Sequence, residues 1–92
     1  MKGKKGMETG AKSALGHEIF HDFGELSCGD LTMALLKAIR PLSPGTVMEI
    51  RALDPGAPID IGAWCRLSGH TLLAGPCGPD QAHYVIRKGG TP

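Results

Sequence analysis

Among the 92 residues, the side chain best placed for covalent chemistry is Cys28. It lies in "SCGDLTMALL", residues 27–36, where a turn gives way to helical periodicity. A cysteine in the first turn of a helix sits near unpaired backbone N–H groups and the positive end of the helix dipole. Both favour the thiolate, which is the nucleophilic form. Ser27 suits the N-cap, Cys28 then becomes the first helical residue, and Ser27 with Asp30 has the Ser-x-x-Asp form of a capping box. Asp30 works against the thiolate, because a carboxylate about 6 Å from the sulfur costs it about 0.7 kcal/mol in a water-like dielectric. The dipole returns about 0.3–1 kcal/mol. The two nearly cancel, so Ser27, Gly29 and Asp30 frame a thiol that is reactive without being strongly acidified. The plainer alternative, that Cys28 only follows a good cap, stays open on these residues.

The other candidates point elsewhere. Cys65 shares a helical stripe with Ile61 and Trp64 and reads as a buried structural thiol. Cys77 falls in the Pro- and Gly-rich link "PCGPDQAH" and is expected in an exposed loop, where it could resolve an oxidised Cys28. Three cysteines without C-x-x-C spacing indicate neither a disulfide framework nor a zinc ribbon, and they suit a reducing, cytoplasmic setting. His17 and His21 have a metal-like spacing only if the segment is a helix, and it reads as a strand. His70 and His83 open strands and are expected to bond turn backbone. Neither a metal nor a cofactor is implied. Trp64 reads as a core residue.

The elements that must position Cys28 follow from periodicity. "EIFHDF", 18–23, alternates as a strand. Leu31, Ala34, Leu35, Ala38 and Ile39 form the apolar stripe of an amphipathic helix, which Pro41 ends. "TVMEIRAL", 46–53, is a second strand, with Met48 and Ile50 toward the core and Glu49 and Arg51 toward water. Pro58 suits the first turn of a second helix, and Gly69 suits its left-handed C-terminal cap. "HTLLAG" and "HYVIRKG" close the chain as a hairpin. The order is β-α-β-α-β-β, an α/β two-layer sandwich. Its four-stranded mixed sheet has the first two strands parallel and both helices on one face, and the other face is expected to be partly open.

Composition limits the partners. Lys2, Lys4, Lys5 and Lys12 against Glu8 give residues 1–14 a charge of +3, so the rest carries −2 of the net +1. A slightly acidic body with two Phe, one Trp and one Tyr lacks the basic and stacking surface of a nucleic-acid binder. Residues 1–16 read as a disordered basic arm, and residues 17–90 as one domain too small for a deep substrate cavity. No stretch approaches the roughly 18 apolar residues of a membrane span, so no membrane partner is expected.

In sum these residues resemble a known family. "LSPGTVMEIRALDPGAPIDIGAWCRLSGHTLL", 42–73, and "YVIRKGG", 84–90, together with Asp22 six residues before Cys28, are similar to the TusA/SirA family of small sulfur-carrier proteins. The resemblance spans about residues 19–90. It implies a two-layer α/β sandwich and a sulfurtransferase-type carrier. Cys28 would accept a persulfide from a protein donor, of the cysteine desulfurase or rhodanese type, and pass it to a protein acceptor. The pathway would be tRNA thiolation, cofactor sulfuration or sulfur metabolism. One departure stands out: the family's Cys-Pro-x-Pro reads here Cys28, Gly29, Asp30, Leu31, with both prolines absent. Two other readings keep the same fold: a non-catalytic interaction or regulatory module, and a thiol redox sensor pairing Cys28 with Cys77.

Overall fold

The apolar stripe expected on the first helix does close a core. In the computed structural model, which describes residues 13–90 and at Cys28 the backbone, Leu31, Leu35 and Ile39 are fully buried. They belong to α1 (Cys28–Ile39) and meet Met48 and Ile50 of β2 (Val47–Arg51). Ala57, Ile61 and Cys65 of α2 (Ala57–Ser68) and Tyr84 and Ile86 of β4 (His83–Arg87) complete the cluster. Met48 pairs with Ile86 and Ile50 with Tyr84, so these four share one sheet face and both helices pack on it. Each fully buried Leu or Ile contributes about 1.5–3 kcal/mol.

The remaining strands are β1 (Phe20–Asp22) and β3 (Thr71–Cys77). The sheet order is β1-β2-β4-β3, with β1 parallel to β2 and both other pairs antiparallel. The β-α-β-α-β-β mixed sheet is therefore the architecture read from the sequence. Gly69 ends α2 at φ 81°, and the following N–H of His70 returns to the Cys65 carbonyl at 2.9 Å, as a left-handed cap requires. The C-terminal end of α1 is closed from a distance: Lys88 Nζ donates to the Arg40 and Leu42 carbonyls. Among the described residues, no helix is long and apolar enough to cross a membrane.

Three local expectations are corrected. The first strand is shorter than 18–23, because only residues 20–22 pair with β2. Cys77 is not a loop residue: β3 extends to it, it pairs with His83 across the hairpin, and its Sγ donates to the His83 carbonyl at 3.4 Å. Trp64 is only partly buried, packing on the core cluster with its ring tilted over His70 at 5.1 Å.

The largest correction concerns Glu49. The strand alternation pointed it to water, yet it is fully buried. Glu49, His83 and Val85 lie on the face away from the helices, and all three are buried. The Glu49 carboxylate receives Ser13 Oγ at 2.5 Å, the Ala14 N–H at 2.9 Å and the Leu15 N–H at 3.3 Å. His17 Nδ1 stands 3.3 Å away and His83 Nδ1 2.6 Å away. Ser13 Oγ also accepts the N–H groups of Gly16 and His17, each at 3.0 Å, which rolls residues 13–17 into a tight strap over the carboxylate. Of the segment 1–16 expected to be disordered, residues 1–12 lie outside the described residues, and residues 13–16 belong to this strap. Burial pushes the Glu49 carboxyl up, but the bonds from Ser13, Ala14, His83 and His17 outweigh it and hold the group at about 2 instead of 4.5.

Candidate functional site

The turn that carries Cys28 is built between β1 and α1. Asp22 ends β1 and its Oδ1 accepts the Gly24 N–H at 3.0 Å. Gly24 adopts φ 56°, a region in which side chains other than Asn and Asp are strained. The Leu26 N–H returns to the Phe23 carbonyl at 3.2 Å, and the Leu53 N–H reaches the Gly24 carbonyl at 2.8 Å. The turn is therefore anchored to the chain leaving β2. Ser27 then sits in extended backbone, φ −92° and ψ 178°, and its carbonyl takes the first helical bond, from the Leu31 N–H at 2.6 Å.

Cys28 is thus the first residue of α1, the position at which a backbone N–H has no partner within the helix. Ser27, Gly29 and Asp30 surround it and are exposed. The capping box is not formed: Ser27 makes no side-chain cap bond. The first turn is held instead by the Leu31 N–H, by Thr32 Oγ1 donating to the Gly29 carbonyl at 3.1 Å, and by Leu31 itself buried in the core. A proline at 31 would surrender both the N–H that closes the turn and the Leu31 side chain in the core.

Sequence reasoning missed a polar relay on the helix-free face. Arg51 Nε donates to Asp80 Oδ2 at 2.7 Å, and Arg51 Nη1 lies 3.2 Å from both Asp22 oxygens. The bond from Arg51 holds Asp80 below the usual carboxylate range, and Asp80 in return raises Arg51. His83 stands between this group and Glu49, with Nε2 3.5 Å from Asp80 Oδ1. Asp22 therefore ties the Cys28 turn to β2 and to the β3–β4 link. No single-sequence pattern marks these partners, because residues 22, 51 and 80 meet only once the sheet is assembled.

The histidines divide. His70 Nδ1 accepts the Gly89 N–H at 2.9 Å, a backbone bond as expected, and burial with the Lys88 charge lowers its pKa. His83 departs from that expectation by pairing with a carboxylate. Among the described residues, no group of three or more His, Cys, Asp and Glu side chains could hold a metal. Cys65 is buried, and burial pushes its thiol up to about 11 against the opposing charge of Arg66. The described surface includes an open, largely apolar cleft of about 330 Å³ between β1 and α1, lined by His21, Phe23, Ala34, Lys37 and Ala38.

Comparison with known proteins places this arrangement. The family model described as Sulfurtransferase TusA matches residues 21–88, from β1 through the end of the hairpin. The chain belongs to the TusA family. It is similar to a Bacillus subtilis (strain 168) protein described as "Putative sulfur carrier protein YrkF", at 32 % identity over 65 residues. The match covers 71 % of this chain and 35 % of that protein, so this TusA family chain spans about a third of its relative's length. The matched stretch contains the Cys28 turn and all six strands and helices except the first residue of β1, and the strap over Glu49 precedes it.

Proposed function

We propose that the domain over residues 17–90 is a sulfur carrier that accepts sulfur on Cys28 as a persulfide and hands it to another protein. The observation that carries this reading is the place of Cys28: first residue of α1, on a turn anchored to both parallel strands, inside the stretch that matches the TusA family. The relative's description as a sulfur carrier supports it.

The chemistry is a thiol–persulfide exchange. The Cys28 thiolate attacks the outer sulfur of a donor cysteine persulfide, the donor S–S bond breaks, and the donor cysteine leaves as thiolate with the electron pair of that bond. Cys28 then holds the terminal sulfur, and attack on it by an acceptor thiolate repeats the exchange in reverse. No net oxidant is consumed. The unpaired N–H groups of the first turn and the helix dipole favour the anionic forms on Cys28. The donor is a protein of the cysteine desulfurase or rhodanese type, the acceptor is a protein of a cytoplasmic sulfur relay, and the chain acts as a sulfurtransferase.

Cys77 is ill placed for the redox-sensor alternative. It ends β3, the sheet edge opposite β1, with β4 and β2 between them. Adjacent strands are about 4.8 Å apart, whereas a disulfide needs Cα atoms within about 7 Å.

Intact-mass spectrometry after incubation with a cysteine desulfurase and cysteine tests the proposal. The wild-type chain should gain one sulfur atom, and Cys28→Ala should gain none. A wild-type chain that binds the donor and stays unmodified would make this a non-catalytic interaction module. Loss of two hydrogens under mild peroxide, dependent on Cys28 and Cys77, would make it a sensor.

A further inference from the structure

The turn that carries Cys28 hangs from a short support. β1 has three residues and lies at the edge of the sheet, beside β2. A ladder this short makes few backbone bonds, so the contacts at the base of the turn decide how firmly it is held. Residue 51 supplies two of them. Its carbonyl accepts the Phe23 N–H at 2.9 Å. Its guanidinium reaches both oxygens of Asp22, each 3.2 Å from Nη1, and Asp22 Oδ1 in turn accepts the Gly24 N–H at 3.0 Å. The turn thus starts from a carboxylate that Arg51 holds.

The other side of the guanidinium is fixed as well. Arg51 Nε donates to Asp80 Oδ2 at 2.7 Å, while Asp80 Oδ1 takes the Ala82 N–H at 3.3 Å and stands 3.5 Å from His83 Nε2. An isolated ion pair with Arg51 21 % and Asp22 24 % exposed would hold little. A rigid planar fork clamped at one end is different. With Nε committed to Asp80, the plane of the group sets where Nη1 stands, and with it the Asp22 carboxylate.

We propose that Arg51 is a positioning residue for sulfur transfer, acting through Asp22 to hold the Cys28 turn where a donor persulfide can be attacked. The inference rests on the sulfur-carrier reading. Exchange needs the thiolate aligned on the donor's outer sulfur, and a misplacement of about 1 Å slows such a step by up to about a hundredfold.

Arg51→Met keeps an unbranched stem and removes both pairs. Rates of sulfur loading from a cysteine desulfurase and cysteine, measured against chain concentration, should show kcat at least about tenfold lower, with KM within about twofold of wild type. Asp22→Asn should lower kcat in the same way, and Arg51→Met added to it should cost less than about twofold more, because the two residues act as a unit. Amide hydrogen exchange in Arg51→Met should quicken over residues 23–28 and keep its wild-type rate in α2. An unchanged kcat in Arg51→Met overturns the role and leaves the carrier reading intact. So does a loss confined to KM, which would make Arg51 a donor contact, or exchange that quickens equally in α2, which would make it a general support of the fold. A wild-type chain that gains no sulfur overturns the carrier reading and this role with it.

Discussion

The carboxylate of Glu49 and the imidazole of His83 meet at 2.6 Å on the side of the sheet that carries no helix, both closed off from water. Charge-assisted bonds of this kind contribute about 1.5–3 kcal/mol when buried. Glu49→Gln should therefore lower the unfolding free energy by about 2 kcal/mol, and urea titration followed by circular dichroism checks it. An unchanged midpoint would show that the strap and the pair add nothing to stability.

Glu49 also sets an acid dependence. Its carboxyl titrates at about 2 in the folded chain and at 4.5 in the reference state, so the folded state favours the ionised form. The stabilisation it supplies is full above pH 4.5 and disappears as the pH falls toward 2. Thermal melts across that window should show the wild-type chain losing more stability than Glu49→Gln. Parallel losses would refute the assignment.

At the start of α1, Ser27 makes no side-chain cap bond. Ser27→Ala should cost less than about 0.5 kcal/mol, where a capping serine would cost about 1. Cys28→Ala should likewise fold with a midpoint close to wild type, since alanine is the stronger helix former. A large drop for either variant would mean that the first turn depends on side-chain bonds after all.

Two glycines should respond in opposite directions. A Cβ on Gly29 would meet nothing within 4 Å, so Gly29→Ala should stabilise α1 by about 0.5–1 kcal/mol. A Cβ on Gly89 would stand 1.8 Å from the Gly69 carbonyl oxygen, on the residue whose N–H bonds His70. Gly89→Ala should cost at least about 2 kcal/mol. Melting both variants beside wild type decides the pair of predictions, and a tolerated Gly89→Ala would contradict the close approach of the two chain segments.

Cys65, buried with its thiol raised to about 11, should resist iodoacetamide in the native chain at pH 8 and react fully in urea. Peptide mass mapping reads this directly. Native labelling of Cys65 would place it outside the core.

The apolar spacing Leu31, Leu35, Ile39 and Ile61, Cys65 was sufficient to define two core-facing helices. Pro41 and Gly69 gave their ends, the alternation of β2 gave one strand they cover, and the hairpin reading of "HTLLAG" and "HYVIRKG" gave the last two. Each of these signals is local, because a side chain's direction along a helix or strand follows from the backbone period. The Cys28 position was legible for the same reason: a turn before a periodic stretch places a residue at a helix start.

What only the assembled chain decided is the fate of the polar residues on the second face. Alternation correctly put Glu49 on the side away from Met48 and Ile50 but could not say what lies over that side. Ser13 and His17 arrive from more than thirty positions away, and Asp22, Arg51 and Asp80 come from two strands and the β3–β4 link. Cys77 joined β3 because His83 was there to pair with it. A sequence period fixes which way a side chain points, whereas burial and hydrogen bonding depend on what the rest of the chain brings to meet it.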